Sequence, residues 1–223
     1  MLYVSRPVTE PTDIIPFLGK GEAHWRKGYS AYELAHSWVN AGGIPDSVRA
    51  VLDQAAEYRE ARLIEGFFER ETQLRSKGRP SQTDLLALIN SPSGYAVLGI
   101  EGKVNETLGP LVSELLAKPT TGKHVRLRVL CSTLVLEPDA VGHLRYQLLH
   151  RTCAAIYEAQ GYAVDRAAML VHSFSAQHAW FEDFQAFVAA LGLKVPSVNG
   201  ISTTTDLEGI SVRLGWVADS PTP

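Results

Sequence analysis

The sequence predicts a mixed α/β domain, a mixed sheet with an antiparallel hairpin at its centre and helices around it. Three observations predict it. Helical apolar spacing opens the chain at Ala31, Leu34, Ala35 and Trp38, and returns at Leu144, Leu148, Leu149 and Ile156. Two extended stretches, 83–89 and 95–104, flank the turn sequence Asn90-Ser91-Pro92-Ser93-Gly94. The second of them begins Tyr-Ala-Val-Leu-Gly-Ile, apolar on both faces, as expected of a strand covered on both sides.

The elements follow in order. Residues 1–29 carry several prolines and glycines and read as an irregular arm. Ser30 caps a helix over 31–39, which Ala41-Gly42-Gly43 stops. Pro45 and Asp46-Ser47 open a second helix whose Val48, Val51, Leu52 and Ala55 line one face. Arm and helices form an N-terminal lobe, 1–62, packed on an α/β core over 63–217, with 218–223 a frayed tail. Phe67, Phe68, Thr72 and Leu74 suggest an extended segment before Lys77-Gly78-Arg79-Pro80. After the hairpin a helix is expected over 107–117. In 123–136, Val125, Leu127 and Val129 alternate like a strand, while Leu127, Leu130, Cys131 and Leu134 repeat like a helix; helix is preferred. A helix over 142–160, a strand over 167–174 and a helix over 180–191 complete the core. A Ser/Thr/Asn-rich loop, 195–206, then leads to a last strand through Ile210, Val212, Leu214 and Trp216.

Composition narrows the function classes. The 223 residues are 45% hydrophobic and 20% charged, which is globular composition. A net charge of −3 excludes polybasic binding but leaves room for a local basic groove. Lys123, Arg126, Arg128, Arg145 and Arg151, against Glu137 and Asp139, would supply one. Two cysteines, Cys131 and Cys153, exclude a disulfide scaffold and a Cys-rich zinc site and suit a reducing compartment. Pro7, Glu10, Pro11 and Asp13 interrupt the apolar run a signal peptide needs, and no apolar stretch is long enough to span a bilayer. A cytoplasmic protein without a membrane partner is expected. Neither a P-loop signature nor GxGxxG occurs, which argues against a P-loop nucleotidase and a Rossmann dehydrogenase.

The chemistry concentrates at the hairpin. With its turn near Pro92 and Ser93, positions summing to about 185 face each other, so Asp84 lies opposite Glu101 at the open end. Glu101 and Lys103 are two apart and project from one face. Two carboxylates and an ammonium therefore converge beside an otherwise uncharged strand, at a desolvation cost that a partner or a metal must offset. Mg2+ or Mn2+ would relieve the repulsion, with the Gly102 carbonyl as a further oxygen. Such a metal would polarise a phosphoryl oxygen, and Lys103 would orient water or stabilise developing charge.

Asp84, a turn, and Glu101-Gly102-Lys103 on the next strand resemble the motif of the PD-(D/E)XK nuclease superfamily, which includes many restriction endonucleases. The likeness covers roughly residues 47–175, as an order of elements more than as identity. It implies a restriction-endonuclease-like core in which Asp84 and Glu101 bind metal and Lys103 assists the attacking water. It implies as activity metal-dependent hydrolysis of a nucleic acid, with DNA the first candidate and a homodimer the way to cut both strands. The alternative is an inactive member that serves as a binding module. The proline that usually precedes the aspartate is absent: the chain reads Ser81-Gln82-Thr83-Asp84. The family often adds a glutamate from its first helix; Glu57, Glu60 and Glu69 are the candidates, with Glu69 ranked first because it shares a strand face with Phe67 and Glu71. Ser81 and Gln82 are candidates to bind the scissile phosphate. Gln147 and Arg151, four apart on one helix face, are candidates to contact phosphate or Glu101.

Outside the motif, His143, His150, His172 and His178 lack partners at metal spacing and read as core or surface histidines. Trp180, Phe181, Phe184 and Phe187 read as core, and His24-Trp25-Arg26-Lys27 as an arm docked on the fold.

Overall fold

The computed structural model describes residues 6–19 and 21–222; residues 1–5 and 20 of the expected arm and residue 223 of the tail lie outside the described residues. The sheet is built from β1 (Arg62–Thr72), β2 (Ser81–Ser91), β3 (Gly94–Lys103), β4 (Arg166–Ser173), β5 (Gly200–Ile201), β6 (Thr205–Leu207) and β7 (Ile210–Ala218). Its order is β1-β2-β3-β4-β7-β5, with β6 also paired to β7. The first three strands form an antiparallel meander, whereas β4 runs parallel to β3 and β7 parallel to β4. This is a seven-stranded mixed sheet in an α/β fold. Leu85 pairs with Ile100 and Ser91 with Gly94, so the hairpin keeps the register that its turn sequence predicts.

Alternation along the strands feeds two cores. On one face Leu85, Ala87, Ile89, Leu98 and Ile100 meet Leu34 and Trp38 of α1 (Ser30–Ala41) and Val48, Val51 and Leu52 of α2 (Asp46–Leu52). On the other, Leu86, Val97, Met169, Val171 and Trp216 meet α4 (Thr121–Leu134), α5 (Tyr146–Gly161) and α6 (Phe181–Ala190), through residues such as Leu127, Leu148, Leu149 and Phe184. The ambiguous stretch after residue 123 is helix, as preferred. Both cysteines are buried free thiols.

Several local expectations change. Ser30 is the first helical residue rather than the cap; Tyr29 holds the N-cap position, and the Ser30 N–H is satisfied by Glu106 at 2.9 Å. Only α3 (Val112–Leu116) forms within 107–117, because Gly109 sits at φ 73 and the backbone of Leu111 bridges to Arg145. The same pairing shortens the next helix. The Leu144 and Gly142 carbonyls accept from Val112 and Ser113, so α5 starts at Tyr146 rather than at 142. The polar loop over 195–206 contributes β5 and part of β6. The tail docks instead of fraying: Asp219 accepts from Ser47 Oγ at 2.7 Å, and the Thr222 N–H donates to buried Glu33 at 2.6 Å. In the arm, Ile14 and Leu18 pack on Ala35, and Trp25 lies against Tyr32 and His36, so this segment is docked. Among the described residues no helix is long and apolar enough to cross a membrane.

Candidate active site

The placement of α5 over β3 assembles the site. Gly99 has no side chain, and a Cβ there would meet the Ala155 Cβ at 3.3 Å, so the helix approaches the strand closely at that point. From this contact, helix and strand run in opposite directions. Four residues of helix rise about 6.0 Å and two residues of strand about 6.6 Å, so the steps stay in phase. One step on, Arg151 lies over Glu101; another step brings Gln147 to the same carboxylate. The (i, i+4) spacing of Gln147 and Arg151 thus delivers both to one acceptor.

Glu101 is the centre of the cluster. Its Oε1 accepts from Lys103 Nζ at 2.8 Å and from Gln147 Nε2, and its Oε2 accepts from Arg151 Nε at 2.5 Å. Its side chain is only 2% exposed and that of Lys103 6%. Burial opposes its ionisation, but the Arg151 and Lys103 charges more than offset this and hold the carboxyl at about 2. Burial also disfavours the Lys103 charge, yet Glu101 and Asp84 raise that group above its ordinary value, so it stays an ammonium.

Asp84 lies one step beyond the last ladder pair, Leu85 with Ile100. Its carboxylate takes the place of the missing strand partner: Oδ2 accepts from the Gly102 N–H at 2.9 Å. Oδ1 stands 3.9 Å from Arg151 Nη2, and the side chain is 23% exposed, so the cluster reaches the surface here. Burial and then the Glu101 charge push Asp84 up to about 7, against Lys103 and Arg151. Glu69 on β1 stands across from Asp84, between the pairs Phe68–Leu85 and Arg70–Thr83. It has φ 54, left-handed backbone inside a strand, a strain of the kind that clusters at functional sites. Burial, then the Asp84 and Glu101 charges, raise its carboxyl to about 8.

Ser81 completes the far side. Arg151 Nη1 donates to Ser81 Oγ at 2.9 Å, and the same oxygen lies 2.9 Å from His150 Nδ1. Burial together with the Arg151 charge pushes the His150 ring down to about 3, so it is neutral. A guanidinium only donates, so Ser81 Oγ accepts from Arg151 and keeps its own proton free to go to His150 Nδ1.

The structure therefore brings together Glu69, Ser81, Asp84, Glu101, Gly102, Lys103, Gln147 and Arg151. Gln82 is left out: it pairs with Glu71 on β1 and takes no part in the network around Glu101. Glu57 lies in a 3-10 turn and binds Arg213, and Glu60 sits exposed at φ 57, so neither helical candidate reaches the cluster. His150 was missed, because its partner Ser81 is far away in sequence; its place one residue before Arg151 was the available signal. The expected basic surface is largely consumed internally. Lys123 caps the Leu115 and Lys118 carbonyls, Arg126 binds Tyr146 and Arg79, Arg145 pairs with Asp183, and Arg151 is buried.

The donor set, carboxylates plus a backbone carbonyl, suits a hard divalent cation. The arrangement does not yet offer it to one. Among the described residues no three His, Cys, Asp or Glu side chains converge as metal ligands, and the Glu101 oxygens are turned to Lys103, Gln147 and Arg151.

The profile of a family described as Domain of unknown function (DUF6946) matches residues 7–221, and the chain belongs to that family. No curated protein and no solved structure matches the chain.

Proposed function

For this member of a family of unknown function, we propose metal-dependent phosphodiester hydrolysis on nucleic acid, with DNA as the first substrate to test and Mg2+ or Mn2+ as the ion. One observation carries the reading. Asp84 and Glu101 from adjacent strands, with Lys103 two residues on, form one charged cluster that is closed except at Asp84. Support also comes from the order of elements: helices, the three strands β1 to β3 with Asp84 and Glu101 on the second and third, further helices and then β4, in keeping with the core that the nuclease resemblance implies.

Asp84 and Glu101, with Glu69 and the Gly102 carbonyl beside them, would hold the ion. When bound it would polarise a phosphoryl oxygen and lower the pKa of its water. The protein's own groups divide the remaining work. Lys103 stays protonated, so it acts as a donor and not as a base; one of its three N–H groups goes to Glu101, and the others can meet phosphoryl oxygens as charge builds. Glu69, whose carboxyl is raised to about 8 by burial and the Asp84 and Glu101 charges, would join the ion on giving up its proton, so ion binding would strengthen as pH rises. Arg151, its Nη1 held by Ser81, supplies donors toward a bound phosphate. Two copies would be needed to cut both strands of a duplex together.

Glu101, with three donors already on its oxygens, favours a second reading, an inactive fold that binds without cleaving. The test is nicking of supercoiled plasmid, and cleavage of single-stranded DNA, by wild type and Lys103→Ala with Mg2+, Mn2+ or chelator. Metal-dependent cleavage lost in the variant supports hydrolysis. A folded wild type that cuts under none of these conditions leaves the binding module.

A further inference from the structure

Resting on the metal reading above, we propose that Arg151 is a resident counter-cation that a divalent ion must displace, and that a substrate phosphate draws it off, so that metal and substrate bind cooperatively. The argument begins with position. Arg151 donates to Glu101 Oε2 at 2.5 Å and stands 3.9 Å from Asp84 Oδ1, so one guanidinium spans the two carboxylates that would hold an ion. Lone pairs agree. A carboxylate offers about four acceptor sites, and Lys103 and Gln147 occupy Oε1 while Arg151 takes the oxygen on the Asp84 side, so that about one site remains, on Oε2 against the guanidinium.

Charge gives the same answer. Even with Glu69, Asp84 and Glu101 all ionised, the cluster carries only one net negative charge against Lys103 and Arg151, and every carboxyl that keeps its proton lowers that negative charge further. A divalent ion added while Arg151 stays would reverse that sign and set two like charges against the same oxygens, in a site largely closed to water. The ion and the guanidinium therefore compete.

The tether shows where Arg151 can go. Its Nη1 is held by Ser81, which in turn leans on His150, a ring that burial keeps neutral and so free of repulsion. Swinging off Glu101 about that anchor, beside partly exposed Asp84, turns the fork toward the surface, where a phosphodiester would accept both its N–H groups. Phosphate binding then frees Glu101 for the ion. By linkage the ion favours phosphate binding to the same degree.

The experiment is a calorimetric Mn2+ titration of the folded chain, wild type against Arg151→Gln, with and without a DNA duplex carrying nuclease-resistant phosphorothioate linkages. Glu101→Gln serves as the control that loses the ion. The expected result is at least tenfold tighter Mn2+ binding by Arg151→Gln than by wild type without DNA, and a smaller gap with DNA present. If Arg151→Gln fails to fold by circular dichroism, Ser81→Ala loosens the tether while keeping every charge, and tightens Mn2+ about threefold. Wild type that binds Mn2+, with the folded variant binding it equally or more weakly, overturns the displacement but keeps the metal site. No Mn2+ binding at millimolar concentration by any folded variant overturns the metal reading itself, and this inference with it.

Discussion

Two buried polar clusters sit at the same end of the sheet, on opposite faces of neighbouring strand positions. Gly102 pairs with His172, yet Glu101 faces α5 while His172 faces α1. The His172 cluster is closed. Trp38 Nε1 can only donate, so His172 Nδ1 accepts, at 3.3 Å, and Nε2 carries the proton toward Asp219, 3.2 Å away, which also accepts from Ser47. Every group has one role, and the network ties the helices and the tail to the sheet end. The Glu101 cluster gathers three carboxylates around two cations, and its members are driven apart in acidity: Glu101 down, Asp84 and Glu69 up. Satisfied polar groups specify a structure. Groups whose protonation is contested mark a site where chemistry can happen.

The contrast can be broken from the charged side first. Lys103→Met should lower cleavage by about 100-fold or more, the scale of losing one donor to a developing charge. The chain should stay folded, because Arg151 and Gln147 still cover Glu101. Cleavage within a few-fold of wild type would remove Lys103 from the reacting centre. On the closed side, Trp38→Phe strips His172 of its donor and should cost about 1 to 3 kcal/mol in a urea melt. It should leave the rate per folded molecule unchanged. A lower rate at constant stability would mean that the two clusters are coupled.

Acidity sharpens the same comparison with opposite signs. Asp84 has a folded value near 7, above its unfolded 3.8, so its contribution is fully present below about pH 4 and is lost as pH rises through 7. Asp84→Asn removes that penalty. It should gain about 1 to 2 kcal/mol at pH 8, discounted for the partial exposure of the side chain, and nearly nothing at pH 4, by thermal melts across the range. The same change should abolish cleavage. Asp219 is held near 2, chiefly by its bond with His172, so its contribution is present above pH 4 and fades as pH falls through about 2. Asp219→Asn should flatten that acid limb, the smallest effect of the set. An unaltered limb would assign the acid sensitivity elsewhere.

Much of the fold was legible. The turn Ser91-Pro92-Ser93-Gly94 fixed the hairpin register, and apolar alternation located the central strands, because period-2 and helical signals are local. What local signals could not reach were the competitions between segments. Helix shortening at 107–117 and at 142 came from residues 111–113 pairing with 142–145, a contact no window of sequence displays. The tail looked disordered by composition, yet Glu33 and His172 hold it. Within the site, Asp84, Glu101 and Lys103 were visible as a spacing, and Gln147 with Arg151 as a helix face. His150 was visible only as the neighbour of Arg151, since its meaning depends on Ser81, and the basic stretch misled because Lys123, Arg126, Arg145 and Arg151 are engaged internally, with Arg128 left exposed.

By itself the sequence determined which residues could share a strand or a helix face, since those periodicities follow from backbone geometry alone. Only the tertiary structure decided that α5 crosses β3 at Gly99, and so that Arg151 lands on a carboxylate 50 residues away. That landing sets the charge of the site, because acidity in a buried cluster is fixed by neighbours in space and by the water they exclude.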